Sequence, residues 1–268
     1  MSATMLSDTA CNKNVQEIMQ ALTNLTSTMV SGFTQVEQIE ESACIDAERP
    51  QQGIAQLAYA IEQGAPEAGM PFWRLRTWGM LIWQPVSLTL LSAYHLNISL
   101  DSLDRIALQQ QHNYAIGFQL PKDGAFSHHT STDKAIQTVA PILKQLCERY
   151  AKVLNEQTQA RLPPLMAVLA DTLFVTLERL AYQEIVTLSV PNKAEWVYQQ
   201  GQKWCQLMGL NVPKTAERLR SVTINGERFQ RKTCCLIYRC HGKSECSNCP
   251  HLLAKQKRSN LAGACDSQ

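Results

Sequence analysis

The residues most able to carry chemistry are four cysteines near the C-terminal end of the sequence. Cys234 and Cys235 are adjacent, ten residues separate them from Cys246, and two more separate Cys246 from Cys249. Thiolates are soft anionic ligands that hold both iron–sulfur clusters and structural zinc. The clustering and spacing therefore predict a metal centre whose ligands are these four side chains.

The spacing also bears on which metal is bound. Structural zinc sites usually present cysteines in pairs separated by about two to four residues, and only Cys246 and Cys249 follow that rule. Neighbouring Cα atoms lie about 3.8 Å apart, and extended side chains alternate between faces. Cys234 and Cys235 therefore need a local departure from strand geometry to bind together. A two-iron cluster eases this demand, because the adjacent cysteines can serve one iron or be divided between two.

The C-terminal segment resembles a known family. Its sequence RKTCCLIY, from Arg231 to Tyr238, followed by the run from Cys246 to Cys249, is similar to the signature of the FhuF-type ferric-siderophore reductases. The resemblance implies a [2Fe-2S] cluster held by Cys234, Cys235, Cys246 and Cys249. It further implies one-electron reduction of a ferric siderophore, releasing ferrous iron in the cytoplasm, with a separate donor protein or reductant supplying electrons.

Three further side chains near the motif could also bind a metal. Cys240 and His241 lie inside the loop between the two halves of the motif, and Cys265 lies in the tail. We interpret Cys240 as a spare thiol and His241 as a solvated loop residue, since such residues are more often structural. The sequence does not decide whether either one can replace a ligand.

Charge is unevenly distributed along the chain. The formal net charge is +2, but the first fifty residues are acidic and the stretch from Lys214 onward is basic. A basic surface favours an anionic cofactor, substrate or donor protein. We predict that four basic residues contact and steer an anionic ferric complex: Arg228, Arg231, Lys232 and Arg239. Three tryptophans either line its pocket or belong to the core, the core being favoured: Trp73, Trp78 and Trp83.

Composition restricts the class of protein. Hydrophobic residues make up 45% and charged residues 18% of the 268 residues, as in globular proteins. The start of the sequence lacks the pattern of a signal peptide, and polar residues and Pro85 interrupt the most apolar stretch, from Met80 to Leu96. We therefore predict a cytoplasmic protein without a transmembrane segment. Peripheral membrane association stays open.

The periodicity predicts an α+β fold, mainly a helical body with a small antiparallel β component and a C-terminal cysteine-ligated metal subdomain. We expect residues 1–212 to form the body and residues 213–268 a hairpin with the cluster-binding region. Ser131, the prolines at 163 and 164, and Asn192 indicate helix starts, and Gly209 a helix end. Alternation around Ile106 to Leu120 predicts a strand with one buried face, formed by His112, Tyr114, Ile116, Phe118 and Leu120. Asn225-Gly226 predicts a hairpin turn.

Several chemistries lack support in the sequence. No G-x-G-x-x-G motif follows a predicted strand, so we expect no intrinsic dinucleotide site. No Ser/His/Asp or paired-carboxylate arrangement stands out, and we assign no catalytic residue beyond the cluster. Two alternatives remain: a zinc-binding module that meets nucleic acid or protein, and an iron–sulfur sensor without a substrate. The reductase interpretation expects no nucleic acid.

Overall fold

The computed structural model describes residues 17–121, 124, 126–182, 192–220, 229–246 and 248–252. Within these ranges a mainly helical body carries two small antiparallel sheets, which confirms the predicted α+β class. Its helices are α1 (17–29), α2 (Gln51–Gly64), α3 (Met70–Leu91), α4 (Thr132–Thr158), α5 (Leu162–Tyr182) and α6 (Lys193–Met208). None of them is long and apolar enough to cross a membrane.

The strands form two separate sheets. They are β1 (Cys44–Asp46), β2 (Ile98–Leu100), β3 (Ala107–Gln111), β4 (Tyr114–Gln119) and β5 (Phe126–His128). One sheet has the order β1-β3-β4, with Leu108 paired both to Ile45 and to Phe118, and the other pairs β2 with β5. The strand pairs within these two sheets are antiparallel, and β3 and β4 are joined by a tight turn, whereas α2 and α3 lie between β1 and β3 in the chain.

The predicted helix boundaries of the second half of the chain are confirmed. The side chains of Ser131 and Asn192 accept backbone N–H bonds and cap α4 and α6. Pro163 and Pro164 lie in the first turn of α5, where a missing N–H costs nothing. Gly209 ends α6 with a φ of 68°, a left-handed conformation that glycine adopts without strain.

The long helix α3 was not predicted from the sequence. It contains Trp73, Trp78 and Trp83 and continues past Pro85, where the Thr89 hydroxyl donates to the Pro85 carbonyl at 2.7 Å. From Gln84 to Leu91 every residue is buried. A helix that is buried on most sides lacks the polar face on which pattern recognition depends.

A turn interrupts the strand predicted around Ile106 to Leu120, and its predicted buried face is wrong next to that turn but confirmed at Phe118 and Leu120. His112 has a φ of 55° and lies in the turn that joins β3 to β4. Tyr114 is 51% exposed, whereas its neighbour Ala115 is fully buried. The reason is that α3 lies against β4, where the Trp83 and Gln84 side chains donate to the Ala115 carbonyl at 3.0 and 3.1 Å.

Phe229, just before the cysteine motif, anchors the chain to the helical body. The Phe229 ring is buried and stacks on Phe174 of α5, with ring centroids 4.9 Å apart. Gly201 of α6 permits this packing, because a Cβ there would lie 2.3 Å from Phe174. The predicted Asn225-Gly226 hairpin lies outside the described residues. The division into two domains at residue 212 stays a prediction.

Candidate metal centre

A buried carboxylate holds the chain that leads into the first two cysteines. Asp171, on α5, is fully buried. It accepts hydrogen bonds from the backbone N–H groups of Lys232, at 3.1 Å, and Thr233, at 2.7 Å, and another from the Thr233 hydroxyl. Burial raises the pKa of Asp171, and the donated hydrogen bonds oppose that shift. These bonds fix the backbone immediately before Cys234 to the helical body.

A second carboxylate holds the loop between the two halves of the motif. Glu67 accepts a hydrogen bond from the backbone N–H of His241 at 2.7 Å, and this bond holds the pKa of Glu67 below its usual range. The His241 side chain is 88% exposed, with Nδ1 3.7 Å from the same carboxylate. The structure thus places the imidazole at the surface beside Glu67, in agreement with its interpretation as a solvated loop residue.

Leu236 supplies the departure from strand geometry that the adjacent cysteines require. Its φ of 58° lies in the left-handed region, which is rare for a residue with a side chain. Its backbone N–H donates to the Cys234 sulfur at 3.4 Å. The chain therefore turns directly after Cys235, and one ligand sulfur gains a hydrogen-bond donor.

The four cysteine sulfurs meet as two pairs. Cys234 Sγ lies 3.9 Å from Cys249 Sγ, and Cys235 Sγ lies 3.8 Å from Cys246 Sγ. Two thiolates bonded to one tetrahedral metal ion at about 2.3 Å lie about 3.8 Å apart. Each pair therefore has the separation that one tetrahedral metal ion requires of two thiolate ligands.

The pairing is of the kind that a two-iron cluster requires. A structural zinc site needs four ligands around one ion, whereas each iron of a [2Fe-2S] cluster takes two protein ligands and shares the sulfides. Two close sulfur pairs fit a cluster of this kind, which Cys234, Cys235, Cys246 and Cys249 would hold.

Burial also affects the protonation of these thiols. It raises the pKa of Cys234 to about 11 and that of Cys246 to about 12, with further contributions from neighbouring cysteines. Because a metal binds the thiolate form, binding must release these protons.

The other described cysteines lie outside the two pairs. Cys147 and Cys205 are buried in α4 and α6, where burial raises the thiol pKa, as for small core residues. Cys44 begins β1. Cys240 is half-buried against the core, and its sulfur belongs to neither pair. Cys11 and Cys265 lie outside the described residues.

A cavity of about 600 Å³ lies beside the second sulfur pair. Cys235 and Cys246 form part of its wall, together with one face of α3, one face of α5 and the start of β4. On α3 the lining residues recur at helical spacing and include Phe72, Arg76, Gly79, Met80 and Trp83. A molecule in this cavity would therefore lie next to two of the four cysteines.

The structure brings only part of the predicted substrate-contact set to this cavity. Arg231 lines it, whereas Lys232 is exposed and lines a separate depression beside Pro163. Arg239 is exposed and does not line the cavity. Arg228 lies outside the described residues.

The predicted tryptophans also divide between the two roles considered. Trp83 lines the cavity. Trp78 is buried and donates from its indole to the Leu165 carbonyl at 2.7 Å, as a core residue does. Trp73 donates to the Ala65 carbonyl at 2.8 Å and lies away from the cavity.

Sequence reasoning missed Arg76 and Arg179, which line the cavity from α3 and α5. Both stand in phase with other lining residues, Arg76 with Phe72 and Met80, and Arg179 with Val175. The helical period would have shown this relation if α3 had been recognised as one helix.

A Ser/His/Asp group does occur, but not in the order that catalysis requires. The Ser99 hydroxyl donates to Asp101 at 2.5 Å and lies 2.8 Å from Nε2 of His129, while the Ser127 hydroxyl also donates to Asp101. A nucleophilic serine donates its hydrogen bond to a histidine that the carboxylate orients, whereas here the Ser99 hydroxyl donates to the carboxylate itself. The network joins β2 to β5.

Comparison with known proteins bears on the segment that carries the cysteine pairs. Residues 231–251 match the family model described as the FhuF 2Fe-2S C-terminal domain. The segment is thus an iron–sulfur domain. It is of the FhuF type, which confirms the resemblance and the predicted [2Fe-2S] cofactor. No solved structure matches the chain.

Proposed function

We propose that this protein reduces ferric siderophores by one electron and so releases ferrous iron, with the cytoplasm as the predicted compartment. The FhuF-type domain supports an oxidoreductase of the siderophore-iron reductase family. We assign the four cysteines of the two pairs as the cluster ligands: Cys234, Cys235, Cys246 and Cys249. The observation that carries the proposal is the cavity whose wall includes Cys235 and Cys246.

The chemistry of iron explains how one electron releases the metal. Ferric ion is hard and is held strongly by siderophore oxygens, which hold ferrous ion much more weakly. A bound [2Fe-2S] cluster supplies one electron at a time. The ferric ion gains that electron, no covalent bond forms to the protein, and an external one-electron donor supplies one electron for each ferrous ion released.

The chain contributes position and environment to this reaction. The hydrogen bonds to Asp171 and Glu67 hold the segment before Cys234 and the loop between the two halves of the motif against the helical body. The walls from α3 and α5 hold a substrate beside Cys235 and Cys246, and the apolar residues among them exclude water from its contact face. Electron transfer requires a short distance between the cluster and its substrate, and a substrate held in this position meets that requirement.

Gly79 allows the cavity to be tested separately from the cluster. It lies on α3 in the cavity wall, and a Cβ added there would meet nothing within 4 Å. We expect Gly79→Leu to fill part of the cavity and to slow the anaerobic reoxidation of the reduced protein by a ferric siderophore at least tenfold. Gly79→Ala is the matched control, since it adds one methyl group and favours the helix.

The measurement is stopped-flow absorbance of the reduced protein mixed with the ferric complex, together with the iron and sulfide content of each variant. The proposal requires Gly79→Leu to keep full cluster content while the rate falls. If Gly79→Leu and Gly79→Ala reoxidise at the rate of the parent protein, the cavity is not the substrate site. If no ferric siderophore reoxidises the parent, the iron–sulfur sensor becomes the better assignment.

A further inference from the structure

The charge of the cavity wall is one-sided. Among the described residues that line it, the charged side chains are Arg76, Arg179 and Arg231, and no Asp or Glu is present. The remaining wall is largely apolar and aromatic, including Phe72, Met80 and other residues of α3 and α5. Positive charge beside apolar surface is a poor environment for a cation and a good one for an anion that has apolar groups.

Two of the arginines are available to a molecule in the cavity. The Arg76 guanidinium carbon lies 5.0 Å from the centre of the Tyr114 ring, a cation–π contact that orients the side chain without neutralising it. Arg179 is exposed and approaches from α5. Within the described part of the chain, neither forms an ion pair with a carboxylate.

A different reason for the positive charge is compensation of the cluster, which carries net negative charge when four thiolates hold it. Arg231 fits that role, because it acts electrostatically on Cys246 and on the buried Asp171. Arg76 and Arg179 belong to the helical walls. Arg76 also acts electrostatically on Cys240 of the ligand loop, but that thiol belongs to neither sulfur pair. Neither arginine is among the leading influences on the pKa of Cys234 or Cys246, as Arg231 is for Cys246.

We propose that Arg76 and Arg179 make this cavity selective for ferric complexes of net negative charge, in which catecholate or carboxylate groups hold the iron. This inference rests on the proposed function and specifies its substrate class. A catecholate brings two negative charges to Fe³⁺ and a hydroxamate brings one. A ferric tris-catecholate is consequently anionic and a ferric tris-hydroxamate is neutral, so the arginines distinguish the two by charge-assisted hydrogen bonds.

The test measures binding separately from reduction. Ga³⁺ complexes of a tris-catecholate and a tris-hydroxamate siderophore have the charge of the ferric complexes but are not reduced, and their binding can be followed by tryptophan fluorescence. We expect the anionic complex to bind at least tenfold more tightly than the neutral one. Arg76→Gln and Arg179→Gln should each weaken its binding about tenfold and leave the neutral complex unaffected.

Arg161→Gln is the matched control. Arg161 is also exposed, precedes α5 directly and lies about 27 Å from Arg179 along the helix at about 1.5 Å per residue. Arg161 does not line the cavity, and Val168, the lining residue of α5 nearest to it in sequence, lies about 10 Å away along the helix. That distance is about one Debye length at 0.1 M salt, so this variant should bind both complexes as the parent does.

Two outcomes separate this inference from the proposed function. If the neutral complex binds as tightly as the anionic one, or if the Arg76 and Arg179 variants weaken both complexes equally, charge selection is overturned even when the protein reduces both ferric complexes. If the reduced protein transfers no electron to either ferric complex, the proposed function fails even when the gallium complexes show the expected preference.

Discussion

The adjacency of Cys234 and Cys235 has a geometric use. Neighbouring side chains that point to different sides can reach different partners, and the left-handed Leu236 turns the chain so that Cys234 meets Cys249 while Cys235 meets Cys246. Two separate sulfur pairs suit two metal ions that share bridging sulfides.

At the residue scale, the assignment of ligands leads to a contrast between two sets of cysteines. Changing Cys234, Cys235, Cys246 or Cys249 to Ser removes one thiolate from a pair, and we expect each variant to lose most of its iron and sulfide. Cys147→Ser and Cys205→Ser, in buried positions of α4 and α6, should keep both. Iron and acid-labile sulfide per chain, after anaerobic purification, provide the measurement.

Cys240→Ser sharpens this contrast, because Cys240 lies in the ligand loop without joining a pair. We expect it to retain its cluster. A loss of iron as complete as that of the Cys235 variant would contradict the ligand set.

The sequence was sufficient to find the four cysteines but not all the residues around them. Cysteines carry their chemistry in their type and spacing, so the motif is readable along the chain. Arg76 and Glu67 become relevant only because α3 and the turn before it fold against a segment more than 150 residues later. Contacts of that range leave no local pattern, since nothing near either residue in sequence reveals the partner.

At the scale of elements, α5 links the metal centre to the core. One helix provides the buried Asp171 that holds the motif, the Phe174 ring that stacks on Phe229, and Arg179 in the cavity wall. Glu178 of the same helix accepts the backbone N–H of Phe229 at 2.6 Å. The position of the adjacent cysteines Cys234 and Cys235 therefore depends on a helix some sixty residues earlier in the chain.

Asp171→Asn tests this dependence. The amide keeps one acceptor oxygen but turns an NH₂ group toward the donors of Lys232 and Thr233, leaving at least one buried donor unpaired, at a cost of about 1–3 kcal/mol. We expect a lower free energy of unfolding and faster loss of iron to a chelator, measured by denaturant titration and by absorbance. Glu178→Gln is the control, because its amide oxygen can still accept from Phe229.

An Asp171→Asn protein that keeps both its stability and its rate of iron loss would show that the carboxylate does not hold the ligand segment. If the Asp171→Asn protein is less stable but loses iron at the parent rate, Asp171 contributes to folding and not to holding the metal.

Helix boundaries were predictable where capping residues mark them, as at Ser131, Asn192 and Gly209. The exception was α3, whose buried surroundings remove the alternation of polar and apolar faces. The β3–β4 hairpin was also missed, because its turn depends on the positive φ of His112, and a histidine in the sequence does not by itself indicate a turn. Both errors arise from tertiary packing that overrides local pattern.

At the scale of the whole molecule, the helical body and the cysteine segment enclose the cavity jointly. Helices α3 and α5 and strand β4 provide most of its wall, while Arg231, Cys235 and Cys246 complete it. Of the basic C-terminal residues predicted to contact the substrate and described in the structure, only Arg231 lines the cavity. The other two arginines in the wall, Arg76 and Arg179, belong to the helical body. Substrate binding is thus expected to require both parts of the chain.

The most direct test of the central claim is an anaerobic single-turnover count. The protein is loaded with its cluster, reduced chemically, freed of excess reductant and mixed with a ferric siderophore and a ferrous chelator. We predict one ferrous ion released for each cluster, accompanied by return of the oxidised absorbance spectrum, because a [2Fe-2S] cluster exchanges one electron. The claim would be contradicted if ferric siderophores of the catecholate, carboxylate and hydroxamate classes all left the reduced spectrum unchanged and no ferrous ion appeared.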